Sequence, residues 1–244
     1  MLLWNIAAAQ YATRSGGIGA NIVPHLDFIE RAASESVDLP IFPEASLHGD
    51  DMRECCENVL HSPLLAPLQQ AAVKHAMTIV VGLVHKDACG QPAGALSFMP
   101  DNKRISCLSP RGAHADWCSP IPGTSVLGQR GRSFAMAVHT ACNDESLPRS
   151  AALLGADLYV TGHRISETSW QNDVMYLQHW AHKYNMPVLM ANQINESDSP
   201  RCVGRSACWD EFGQLVVRAE AGELLVIGRR HSRNGWQGEV IPVR

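Results

Sequence analysis

The sequence predicts an α+β fold, a four-layer α-β-β-α sandwich of two mixed sheets with helices on the outer faces. Three observations point there. Apolar, strand-like runs alternate with amphipathic helical stretches, as in strand–helix units. Turn signals at 100–103, 129–131 and 210–213 mark hairpins, which a purely parallel sheet would not contain. The helices in turn exclude a simple antiparallel sandwich, and two packed sheets covered by helices satisfy both.

The elements follow in order. Residues 2–10, LLWNIAAAQ, read as a first strand closed by Gln10. Val23, Leu26, Ile29 and Ala33 recur at helical spacing between Asp27, Glu30 and Arg31, with a start expected near Pro24. Residues 39–42 form a short buried strand, and Pro43 and Glu44 follow it. Residues 50–56 read as polar loop or short helix. Ser62 and Pro63 make an N-cap with proline at the first helical position, ahead of a stripe of Leu65, Leu68, Ala72 and His75. Strands are expected at 77–84, 95–99 and 104–108, with a turn at 85–92. The segment 109–123 is long, irregular and rich in proline and glycine, as functional loops often are. Residues 125–127 and 134–138 pair as a hairpin, followed by a helix at 147–154 and a strand at 157–161. Residues 162–170 form a second candidate pocket loop. A helix at 174–184 turns Val174, Leu177 and Ala181 to one side, and strands follow at 187–191, 206–209, 214–217 and 224–227. From about Arg229 the pattern weakens, and 229–244 is expected to be a C-terminal arm. No linker or charge block divides the chain, so 1–244 reads as one domain.

The formal charge of −4 gives no pull towards nucleic acid or an anionic membrane. Arg229, Arg230 and Arg233 read as a solvated rim. The start, MLLWNIAAAQ, has no basic segment, and its apolar run is too short for a signal peptide or a span. A cytoplasmic location with no membrane partner is therefore expected. The eight cysteines are scattered without a CxxC, which fits free thiols rather than a zinc site. Neither GxGxxG nor GxxxxGK[ST] occurs, so nothing supports a dinucleotide or P-loop site. No metal and no cofactor is expected.

The stretch with chemical promise is 133–144, SFAMAVHTACND. It reads as a buried strand, a sharp turn carrying Cys142, and a helix start just beyond. Such a turn lies at the carboxyl end of a sheet, where ligands bind and backbone N–H groups can stabilise an anion. A cysteine alone is more often plain packing. His139 suggests a Cys–His pair, but a core histidine with a backbone partner is the better reading of that position.

Several motifs occur in one order: Ala9–Gln10, Phe42–Pro43–Glu44 with Gly49, Cys142 with Asp144 and Pro148, and Gly155–Ala156–Asp157. Ala191–Asn192, Gly204–Arg205–Ser206 and Asp210–Glu211–Phe212–Gly213 follow. In this the chain resembles the nitrilase superfamily, the carbon–nitrogen hydrolases, over residues 2–228. The resemblance implies a nitrilase-like sandwich and hydrolysis of a non-peptide carbon–nitrogen bond in a small amide-like substrate. It implies a glutamate–lysine–cysteine set, with Glu44 as base and Cys142 as nucleophile forming a thioester. The backbone N–H of Asn143 would steady the oxyanion, and Asp144 would orient the turn. Where the family has its lysine, this chain reads Ser109–Pro110–Arg111–Gly112–Ala113–His114, so Arg111 stands nearest. Arginine can supply charge and donors but does not readily give up a proton. His114, His163, Arg164 and Trp170 are candidate pocket residues, each against the alternative of an ordinary loop position. The resemblance also implies a homodimer or larger homo-oligomer. The alternative function is a catalytically inactive nitrilase-fold protein that binds a small molecule or serves an assembly.

Overall fold

A computed structural model of the chain describes residues 2–49, 59–84, 93–108, 124–138, 142–195 and 202–243. In order these form β1 (Leu2–Gln10), α1 (Gly17–Ser34), β2 (Leu39–Ile41), α2 (Ala66–His75), β3 (Ile79–Val84), β4 (Ala93–Phe98) and β5 (Arg104–Leu108). Then come β6 (Thr124–Gln129), β7 (Arg132–Val138), α3 (Ser146–Leu153), β8 (Leu158–His163), α4 (Trp170–Lys183) and β9 (Val188–Asn192). The chain closes with β10 (Ala207–Trp209), β11 (Leu215–Arg218), β12 (Leu224–His231) and β13 (Gly235–Pro242).

Two mixed sheets result. One runs β13-β12-β1-β2-β3-β4-β5 and the other β11-β10-β9-β8-β7-β6. Each has a parallel centre, β1-β2-β3 and β7-β8-β9, flanked by antiparallel hairpins. Three apolar layers fill the stack. One lies between α1, α2 and the first sheet, one between the sheets, and one between the second sheet and α3 and α4. Strand β1 shows how the sequence encodes this. Trp4, Ile6 and Ala8 face the second sheet while Ala7 and Ala9 face the helices. Covered on both faces, the strand is apolar almost throughout.

Two expectations are corrected. Helix α1 begins at Gly17, and Pro24 lies inside it. Its buried stripe is Ile18, Ile22, His25, Ile29 and Ala32, whereas Val23 is 64% exposed. The stripe runs through a histidine, which an apolar pattern skips. Packing of this face offsets the amide bond lost at proline. The segment from Arg229 is also no loose arm. It completes β12, and β13 forms the outer strand beside it. Residues 237–239 of β13 are exposed and polar or glycine, as suits an edge, and this hid the strand in the sequence. The segments 50–58, 85–92 and 109–123 lie outside the described residues.

Candidate active site

The turn after β2 is clamped between the sheets. The Phe42 amide donates to Val80 O at 2.8 Å and the Leu47 amide to Gly82 O at 3.0 Å. A Cβ on Gly82 would lie 2.1 Å from Pro43 O and 2.5 Å from Ala45 N. A Cβ on Gly162, in the opposing sheet, would lie 2.8 Å from Phe42 O and 2.9 Å from Glu44 N. Only glycine at both places lets the turn sit so deep. Ser46 adds a polar pin: its Oγ accepts from the Gly82 amide at 3.1 Å and lies 3.1 Å from Nε2 of the buried His25. The His25 ring stacks on Phe42 at 4.3 Å. Burial lowers its pKa to about 4, so the imidazole is neutral near pH 7.

This clamp brings half-buried Glu44 to the wall of a narrow crevice shared with Gly82, Ala137, Thr161 and Gly162. The crevice lies at the carboxyl ends of the parallel strands, where open α/β sheets bind ligands. Cys142 reaches the same end of β8 from its other face. Along β8, Leu158 and Val160 point between the sheets and Tyr159 points towards the helices. Alternation then puts Gly162 on the Glu44 side and Thr161 and His163 on the side of Cys142.

Cys142 is 6% exposed, and its Sγ lies 3.6 Å from His163 Nε2 and 3.9 Å from Nδ1. Thr161 Oγ1 is 2.9 Å from the same Nε2. Burial pushes the Cys142 thiol pKa up, and the charge of Asp173 in the first turn of α4 adds to the shift. Helix α4 holds the turn from beneath. The Trp180 indole donates to Cys142 O at 2.8 Å, and Lys183 Nζ and the Tyr184 hydroxyl bond to Glu145. Asp144 Oδ1 accepts from the Ser146 amide at 2.9 Å at the start of α3. Asn143 is exposed.

Of the expected site residues, Cys142 and His163 meet on the helix side of the end of β8, and Glu44 lies on its other face, between the sheets. Arg164 follows, half-buried. Trp170 opens α4 within the packed layer that also holds Cys142, and the Arg205 guanidinium lies 5.5 Å over its ring. Arg111 and His114 lie outside the described residues. The described lysines, Lys74, Lys103 and Lys183, pair with Glu30, Asp101 and Glu145. The sequence reading missed Thr161, Asp173, Trp180 and Tyr184. The last three share the face of α4 that carries Leu177, at 173, 177, 180 and 184, so helical spacing could have found them.

The model of the carbon–nitrogen hydrolase family matches residues 5–234. The chain belongs to the carbon–nitrogen hydrolase family. Solved structures of the nitrilase superfamily share its fold. An amidase of Nesterenkonia sp. AN1, a double mutant in complex with acrylamide, superposes with a TM-score of 0.79 at 17% identity, over 95% of this chain and 92% of that one. A carbon–nitrogen hydrolase superfamily protein of Xanthomonas campestris, with an arsenic adduct in its active site, gives 0.79 at 16% identity, over 94% and 91%. Nit3 of Saccharomyces cerevisiae, a member of branch 10 of the nitrilase superfamily, gives 0.79 at 19% identity, over 93% and 89%. At these identities the likeness establishes the nitrilase-like sandwich. Among the described residues no group of histidines, cysteines and carboxylates could hold a metal, and no helix is long and apolar enough to cross a membrane.

Proposed function

We propose that this carbon–nitrogen hydrolase family member cleaves a small amide-like substrate through a thioester on Cys142. Glu44 is the crevice base, and the Asn143 amide donates to the oxyanion. One observation carries the reading: Gly82 and Gly162 clamp the Phe42–Pro43–Glu44 turn from both sheets, holding a carboxylate at the strand end that precedes the Cys142 turn. A carboxylate placed so can take a proton from the attacking group or from water, a task worth about 10²–10⁴ in rate. The thiol attacks the amide carbon, amine leaves, and water releases the acid from the thioester. Family membership suggests a homo-oligomer as the working form, and light scattering would measure it.

Burial of the thiol, with its raised pKa, favours a second reading, a binding protein that keeps the fold without turnover. Intact-mass analysis during incubation with small amides separates the two. The hydrolase predicts an acyl adduct that appears and decays in the wild type. Cys142→Ala forms none, and Glu44→Gln turns over about 100-fold or more slowly. Binding without any adduct on Cys142 supports the second reading.

A further inference from the structure

We propose that His25 of α1 is a positioning residue for Glu44, fixing both ends of the turn that carries the carboxylate through the Phe42 ring and the Ser46 hydroxyl. It rests on the hydrolase reading above, in which Glu44 is the base. Counting donors and acceptors assigns the histidine. Its Nδ1 lies 2.7 Å from the Asn21 carbonyl oxygen, which can only accept, so the proton of the neutral ring is on Nδ1. Nε2 is then a bare acceptor, and the Ser46 hydroxyl at 3.1 Å donates to it. The same hydroxyl oxygen accepts from the Gly82 amide at 3.1 Å. Gly82 O, a second acceptor 3.4 Å from Ser46 Oγ, already takes the Leu47 amide at 3.0 Å. The bonds therefore run head to tail from the Gly82 amide of β3, through Ser46 and His25, to Asn21 O of α1.

The ring itself has little freedom. It stacks on Phe42 at 4.3 Å and meets the Tyr11 ring at 4.7 Å, and both His25 and Ser46 are fully buried. Asn21 is anchored in turn, its Nδ2 donating to Arg14 O at 2.9 Å and Gly17 O at 2.8 Å. Glu44 stands midway in sequence between Phe42 and Ser46, and the Ser46 amide closes the turn on Pro43 O at 3.3 Å. The two glycines make room for this turn, and the His25 chain sets where in that room it rests. Catalysis is sensitive to such placement, since a reacting group displaced by about 1 Å can lose about 100-fold in rate.

The test separates the two ring nitrogens. His25→Asn keeps a donor for Asn21 O and loses the partner of Ser46, whereas His25→Gln puts an amide oxygen near the Nε2 position, where it can accept from Ser46 again. On the full chain with propionamide and benzamide, His25→Asn should lower kcat about 10–100-fold with KM within about two-fold, and His25→Gln should restore most of it. Ile29→Ala, one turn along the same buried stripe of α1, should lose stability without losing kcat. Ser46→Ala should match His25→Asn, and the double variant should be no slower than either. Two NMR readings need no turnover. With 15N-labelled histidine, the His25 ring, identified by its loss in His25→Gln, should carry its proton on Nδ1. The Glu44 carboxyl carbon, identified with Glu44→Gln, should move in His25→Asn and return in His25→Gln. A proton on Nε2, or a Glu44 resonance that stays in place in His25→Asn, overturns the proposal. If the His25 variants fail to fold, Ser46→Ala decides by the same carbon resonance. Amide turnover with equal kcat in His25→Asn, His25→Gln and Ile29→Ala keeps the hydrolase and discards the positioning. The expected resonances without turnover keep the positioning and count against the hydrolase.

Discussion

Asp173 shows how much a single charge can set at this site. Its carboxylate opposes ionisation of the Cys142 thiol from the first turn of α4. Asp173→Asn should therefore lower the thiol pKa and speed Cys142 alkylation several-fold above pH 8, measured beside the wild type. His25 makes a second residue-level case. Its pKa falls from an ordinary 6.5 to about 4 in the folded protein because burial penalises the cation. The unfolded chain then binds the extra proton first as the pH drops. The stability due to neutral His25 is complete above about pH 6.5 and is lost as pH falls towards 4, at roughly 1.4 kcal/mol per pH unit. Urea midpoints should decline across that window, and more steeply than in His25→Asn. No apolar pattern flags His25, because its role lies in a polar pin between Asn21 O, at 2.7 Å, and Ser46.

At the scale of an element, the Phe42–Glu44 turn depends on two residues far from it in sequence. Gly82→Ala would place a methyl 2.1 Å from Pro43 O, so backbone must move. About 1–3 kcal/mol of stability should be lost by denaturant melts, and turnover should drop further than stability does, because Glu44 rides on the displaced turn. Gly162→Ala should do the same from the other sheet. A drop in stability with unchanged turnover would show that Glu44 is not held by this clamp. The motif Phe42–Pro43–Glu44 was legible as sequence, but its clamp was not, since glycine has no pattern of its own. Helix α4 gives the converse case. Its existence and its Val174–Leu177–Ala181 side were legible, yet on the adjoining stripe Trp180 and Tyr184 bond to the cysteine turn while the charge of Asp173 adds to the burial that raises the thiol pKa.

Across the whole molecule, the two sheets are joined by a few buried polar links as well as by the apolar layer between them. Gln10, at the end of β1, accepts from the Ser206 amide at 3.0 Å and donates to the carbonyls of Glu220 and Gly222. Gly204, with φ +66°, would put a Cβ 2.6 Å from the Gln10 side chain, so the loop before β10 closes directly over it. Gln10→Ala would strand these groups and should cost about 2 kcal/mol or more. Phe134→Ala, in the layer between the sheets, should cost about 3–5 kcal/mol. Thermal melts of the two variants compare the polar seam with the apolar core. The paired motifs Ala9–Gln10 and Gly204–Arg205–Ser206 were visible as landmarks, but their meeting across 196 positions was not.

The order of strands, helices and hairpins, and with it the layered fold, follows from local patterning. Apolar runs, helical spacing and turn residues act within a few positions of one another. The family landmarks likewise lie in the chain as short words. What the tertiary structure alone decided is which of those words touch. It set Glu44 between two glycines, laid His163 within 3.6 Å of the Cys142 sulfur, and turned the last residues into a paired edge strand. Side-chain chemistry at a site depends on distances of a few ångströms between distant segments, and only the packing of both sheets and their helices sets those distances.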